Sequence, residues 1–191
     1  MTTRITGGTL RGRILATPRG DGVRPTTSRV RESIFSILGH QLGGLSVLDL
    51  CAGAGTLGIE AASRGARSVV FVENDRGHAQ SLRKNLELLD GLAEHQVIQA
   101  DAAGAARILL RQGARFDLVF LDPPYASDVA ERTLTSLGAA APELLNDDAR
   151  IAVETDVATE LPESFGAHLA RSDRRTWGRT SLMLYTKQEA S

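Results

Sequence analysis

Two short stretches hold the residues best suited to chemistry. The first, VLDLCAGAGTLGIE at residues 47–60, sets Gly53, Gly55 and Gly58 in a Gly-x-Gly-x-x-Gly pattern after an apolar run. Glycines at that spacing let the backbone approach a ligand closely and open a helix whose N-terminal amides face it. On pattern alone the loop suits a nicotinamide or flavin dinucleotide. The second stretch, Asp122-Pro123-Pro124-Tyr125, directly follows FDLVFL. Neither proline has an amide hydrogen, and each holds φ near one value. A residue before proline is driven extended, so Asp122 cannot open a helix. The result is a stiff loop bearing a carboxylate, a carbonyl without a competing amide, and an aromatic ring. Such a loop suits the exocyclic amine of a nucleobase: Asp122 and the Pro123 carbonyl accept its N–H bonds while Tyr125 stacks on the ring. An amine turns acidic once methylated, so no strong base is needed and catalysis is mainly orientation.

Four acids follow apolar runs in the same way: Asp49, Glu73, Asp101 and Asp122. Asp101 reads most simply as a helix cap. Among them, Asp49 weighs against a dinucleotide. A pyrophosphate wants backbone amides and a positive helix end, whereas Asp49, four residues before Gly53, repels it. S-adenosylmethionine carries an ammonium and a sulfonium and no phosphate, and welcomes the acid. Glu73 lies about twenty residues beyond Gly53, the spacing of a ribose-binding acid in either cofactor class. Carbon-5 methylation of a pyrimidine needs a cysteine nucleophile. The only cysteine, Cys51, reads as a small buried side chain. Nitrogen is therefore the expected methyl acceptor.

Positioning these groups falls to alternating strands and helices. Strands are expected at 46–50, 68–72, 96–100, 116–121 and near 150–154. Helices are expected at 56–64, 75–89 (with Asp75 as N-cap and Ala79, Leu82, Leu86 and Leu89 buried), 102–111 and 128–138. Two further strands near 167–174 and 180–186 form a hairpin. Alternation of this kind builds a parallel sheet covered on both faces, with ligands at the strands' carboxyl ends. Ahead of it, RITGGTLRGRILA at 4–16 reads as a basic hairpin. A Pro- and Gly-punctuated loop follows, then a helix from Thr27 or Ser28 with Val30, Ile34, Ile37 and Leu38 on its apolar stripe and Arg29 and Arg31 off it.

The chain's 191 residues and 42% hydrophobic content suit one compact unit that needs no disulfide or metal, and no metal ligand set is expected. We expect 1–40 to be a basic RNA-binding hairpin and helix, part of the same unit as a methyltransferase domain at 41–191. Without a signal peptide or an apolar span, a cytoplasmic location with no membrane partner is expected. The net charge of −1 conceals polarity. Residues 1–31 hold seven arginines against Asp21, and 171–179 hold Arg171, Arg174, Arg175 and Arg179 against Asp173. The intervening 32–170 carry ten basic and twenty acidic side chains. Basic ends on an acidic body suggest a polyanionic partner, and arginine suits phosphate.

VLDLCAGAGTLGIEAASRGA, FVENDRGHAQSLRKNLELL and FDLVFLDPPY, with an opening that includes RPTT-x-RVRES, resemble bacterial 16S ribosomal RNA guanine-N2 methyltransferases of the RsmD type. The resemblance spans residues 3–186. It implies an α/β Rossmann-like class I methyltransferase fold: a seven-stranded, mostly parallel sheet with one antiparallel strand, helices on both faces and a small N-terminal extension. It implies S-adenosyl-L-methionine as cofactor, with Asp49, Gly53 and Gly55 at its methionine end, Glu73 and Asn74 at the ribose, and Asp101 and Ala102 at adenine. Asp122 to Tyr125 would hold the base, with Asp122 also beside the cofactor. Arg11, Arg13, Arg24, Thr27 and Arg29 would meet RNA, and Thr26, Thr27 and Arg29 would close over the cofactor or base. The implied partner is 16S rRNA within a 30S subunit or assembly intermediate, and the implied state a monomer. The chain departs from the family at Cys51, usually aromatic, at Ala54, often Ser, and at Ser28, usually Asp. By residue chemistry alone, adenine N6 in DNA remains an alternative acceptor, as does a non-catalytic RNA-binding assembly factor of the same fold.

Overall fold

The computed structural model describes residues 3–17, 27–124 and 128–189. Arg24, Thr26 and Tyr125, each given a role above, lie outside the described residues. Five parallel strands form the centre: β3 (Ser46–Leu50), β4 (Ser68–Val72), β5 (Glu94–Ile98), β6 (Phe116–Leu121) and β7 (Leu145–Asp156). They are extended by β8 (Ser164–Phe165), β9 (Leu169–Trp177) and β10 (Thr180–Lys187), giving the order β5-β4-β3-β6-β7-β10-β9-β8. β10 lies antiparallel to both β7 and β9. The seven principal strands match the expected sheet, and the two-residue β8 adds an antiparallel eighth at the edge.

Each face of the sheet is covered. On one side α1 (Ser28–Leu38), α2 (Thr56–Ser63) and α3 (Arg76–Leu86) bury Ile34, Phe35, Leu57 and Leu82 against Val47, Phe71 and Phe120. On the other, α4 (Ala102–Arg111) and α5 (Val129–Leu144) close over Leu48, Leu50 and Val119. Side chains alternate across a strand, so Asp49, between Leu48 and Leu50, points to the α1–α3 side. The N-terminal strands β1 (Thr3–Arg4) and β2 (Ile14–Leu15) pair antiparallel as a separate ribbon, and Ile5 and Leu15 join the core on this same side.

Several boundaries move. The third central strand spans 94–98 rather than 96–100, with His95 and Gln96 exposed on the sheet's edge. The helix expected at 128–138 continues to Leu144 through Pro142, since its apolar face at Leu134, Leu137, Ala141 and Leu144 outweighs one lost backbone bond in the last turn. The third helix passes at Glu87–Leu89 into a 3₁₀ turn that buries Leu89. Asp75 caps its N-terminus as expected, accepting from His78 N at 2.8 Å.

Candidate active site

The glycine loop leaves β3 through Cys51, the only non-glycine residue of positive φ among the described residues, at 61°. Its glycines do different work. Gly53 has φ of 56°, and a Cβ there would meet nothing within 4 Å, so its backbone opens outward. Gly55, at φ 80°, lies against α3 instead: a Cβ would fall 2.5 Å from Leu82 Cδ1. At Gly58 a Cβ would fall 2.3 Å from the Phe71 ring. The loop therefore presents one glycine to an incoming ligand and uses two for close packing.

The four acids converge on this loop. Asp49 is 2% exposed and its Oδ2 accepts from Gly58 N at 2.8 Å, tying strand end to helix start. Burial pushes its carboxyl up to about 7; the Gly58 amide opposes the rise, and the charges of Asp122 and Glu73 add to it. Glu73 follows β4 directly. Its Oε2 accepts from Gly53 N at 2.6 Å and its Oε1 from Asp75 N at 2.8 Å. Each oxygen keeps a further acceptor direction for a hydroxyl. Asn74, beside it, is exposed. Asp101 caps α4, accepting from Gly104 N at 3.2 Å, and lies 3.5 Å from an exposed Arg132 nitrogen. Ala102, next to it, is buried. Asp122 stands at the mouth of β6, half-buried, with its amide 3.5 Å from Leu50 O; Pro123 is buried and Pro124 exposed.

Cys51 reports on this gathering. Burial raises its thiol to about 12, and Glu73, Asp122, Asp49 and Asp101 all push the same way. The thiol stays protonated at neutral pH, which removes a thiolate nucleophile. Acids around an outward-facing glycine fit a cationic ligand free of phosphate. S-adenosylmethionine meets that description and a dinucleotide does not.

The expected RNA-facing residues separate. Arg11 and Arg13 are exposed in the turn of the hairpin, and Arg29 is exposed on α1. Thr27 caps α1, its hydroxyl accepting from Val30 N at 3.3 Å. Arg31, expected off the buried stripe, is instead 1% exposed. Its Nε lies 3.4 Å from Glu60 Oε2 and its Nη2 donates to Arg4 O at 2.6 Å. Arg64 donates to Glu60 Oε1 at 2.7 Å, stacks 4.5 Å from the Phe35 ring centroid, and reaches Thr6. The signal for this network was Glu60, a charge amid the apolar run of α2. The C-terminal arginines, expected to face a polyanion, are paired internally: Arg171 with Glu163, Arg174 with Glu160, Arg175 with Asp173 and Arg179 with Asp156.

Two further residues escaped the sequence reading. Glu154 on β7 is buried, and the pairing of Leu121 with Val153, extended by one, sets it beside Asp122. Asn85, buried on α3, bonds both to the glycine loop and to the residue after β2. Its signal was a polar side chain on an otherwise apolar stripe.

Residues 3–186 match the family model described as conserved hypothetical protein 95. The chain is similar to ribosomal RNA small subunit methyltransferase D of Escherichia coli, at 36% identity over 97% of this chain and 90% of that protein. It is also similar to the Haemophilus influenzae protein of the same name, at 38% identity over 95% and 92%. Among solved structures it resembles the Escherichia coli protein yhhF, with a TM-score of 0.81, 36% identity and full coverage of both chains.

Proposed function

Since the chain belongs to the RsmD family of ribosomal RNA methyltransferases, we propose that it methylates the exocyclic N2 of a guanine in 16S ribosomal RNA, with S-adenosylmethionine as donor. One observation carries the reading: Asp49, Glu73 and Asp122 converge at the ends of adjacent strands β3, β4 and β6, beside an outward-facing Gly53. When bound, the cofactor supplies a methyl group on a sulfonium. Asp49 and the Gly53–Gly55 backbone hold its methionine end, Glu73 and Asn74 the ribose, and Asp101 with Ala102 the adenine edge.

The remaining work is orientation. Asp122 and the Pro123 carbonyl accept the hydrogens of the amine, aiming its lone pair, while Tyr125 stacks on the base. The methylated nitrogen is acidic and its proton passes to solvent. Effective concentration gained by such alignment is the main source of rate. Arg11, Arg13 and Arg29, exposed on the N-terminal extension, contact phosphate and hold the RNA, with Arg24 and Thr27 in the adjoining segment. A partly assembled 30S particle as substrate, a monomeric enzyme and a cytoplasmic location belong to the same reading.

Radiolabelled S-adenosylmethionine offered to naked 16S RNA and to 30S particles from a strain lacking the enzyme tests it. Digestion of the product to nucleosides should yield N2-methylguanosine, and label in methyladenosine, or in neither RNA substrate, would overturn the reading. Asp122→Ala should bind the cofactor with near-unchanged affinity and lose transfer by roughly 100-fold or more, the scale of a misplaced reactant.

A further inference from the structure

Asn85 sits on the buried face of α3, one turn beyond Leu82, and is 4% exposed. Its Oδ1 accepts from Ala16 N at 2.8 Å and its Nδ2 donates to Ala16 O at 2.9 Å. The same Nδ2 donates to Ala54 O at 2.8 Å. Both amide hydrogens are thus used, and the side chain meets Ala16 as a neighbouring strand would. Ala54 lies between Gly53 and Gly55 in the cofactor loop, and Ala16 follows β2 at the exit of the hairpin that carries Arg11 and Arg13. Leu82, on the same face of α3, packs where a Cβ on Gly55 would fall. A buried amide with this set of partners holds its neighbours firmly, because losing any one leaves a polar group stranded from water.

We propose that Asn85 is a positioning residue that ties the cofactor loop to the basic hairpin, so that cofactor and RNA each bind more tightly when the other is present. This rests on the reading of the glycine loop as the cofactor pocket and of the hairpin as an RNA contact. Ordering one side of a shared set of hydrogen bonds lowers the cost of ordering the other, and the coupling is reciprocal.

Amide exchange on the wild-type chain tests the link directly. S-adenosylhomocysteine should slow exchange at Ala16, and a 16S RNA transcript without cofactor should slow exchange across residues 53–55. Exchange at Ala16 that ignores a bound S-adenosylhomocysteine overturns the coupling alone. Failure of the chain to bind it at all overturns the pocket itself, and the coupling with it. Calorimetry on Asn85→Leu, which keeps the branched outline and removes every hydrogen bond, gives the second readout. Its affinity for S-adenosylhomocysteine should fall about tenfold, equivalent to the roughly 1.4 kcal/mol of a decade. The RNA-induced gain, about fivefold or more in wild type, should vanish. A folded variant with wild-type affinity and an intact RNA effect shows Asn85 to be structural only, and overturns the proposal.

Discussion

Asp49 is where electrostatics and ligand choice meet. Its carboxyl moves from an ordinary 3.8 to about 7 because burial disfavours the charge. Between those values the folded chain binds a proton that the unfolded chain has lost, so stability falls as pH rises. The contribution is complete below about 4 and is lost as pH passes through about 7. The ammonium of the cofactor wants the opposite state. We therefore expect the ligand-free wild type to lose melting temperature between pH 5.5 and 8 relative to Asp49→Asn, in differential scans of the pair. Cofactor affinity should rise with pH, approaching tenfold per unit below about 7. Binding should release a proton, read as a calorimetric enthalpy that changes with the buffer's ionisation heat. A buffer-independent enthalpy would show Asp49 already ionised. The glycines divide along a similar line. Gly58→Ala drives a Cβ toward Phe71 and should cost about 1–3 kcal/mol in urea melts while leaving the folded protein's cofactor affinity within about twofold. Gly53→Ala meets no neighbour but bears a left-handed φ, costing about 1–2 kcal/mol. Its methyl occupies the open face, so affinity should fall about tenfold or more by calorimetry.

Between elements, the decisive contact is Glu60 with Arg31 and Arg64, where α2 receives α1 and the N-terminal hairpin. Ser63 reinforces it, accepting from Leu10 N at 2.8 Å and donating to Gly7 O at 2.6 Å. Glu60→Ala strands two buried guanidinium groups, and removing one member of a buried pair costs about 3–5 kcal/mol. Urea denaturation should register that loss. Amide exchange should also quicken at Ile5 and Gly12, whose amides bond within the hairpin, ahead of the central strands. This network marks the boundary of what the sequence carries. The ends of β3, β4 and β6, the caps at Asp75 and Asp101, and the placement of Asp49, Glu73 and Asp122 were legible because each depends on residues a few positions away. Arg31 was misread because helical spacing puts it at the margin of the stripe, and its burial depends on an acid 29 residues later. Asn85 was missed for the same reason, its partners lying 31 and 69 residues away. Gly138, where the local pattern ends α5, serves instead to pack it against β8: a Cβ there would fall 2.4 Å from Phe165 O, on a strand absent from local pattern.

At the scale of the molecule, the two basic ends that look alike in sequence become unlike once folded. Arg171, Arg174, Arg175 and Arg179 each face a carboxylate, and Arg174 also bonds Val157 O at 3.0 Å and Ser181 at 3.2 Å. Their positive charge is met within the fold. Among the described residues, Arg11, Arg13 and Arg29 make no ion pair and stand exposed on the face that carries the hairpin and α1. Steering of a polyanion should therefore come from the N-terminal end, although the chain's net charge is −1. Binding to phosphate releases counterions, so each arginine engaged contributes about 0.7 to 0.9 to the slope of log affinity against log salt. Arg11→Ala with Arg13→Ala should lower that slope by about 1.4 to 1.8 in filter-binding titrations of 16S RNA across salt. Arg174→Ala with Arg175→Ala should leave the slope where it was. The same pair should lower the melting temperature, since Arg174 holds Glu160 to β9. If the C-terminal pair lowers the slope instead, its carboxylates give way to phosphate on binding, and the RNA path must cross β9 rather than the hairpin.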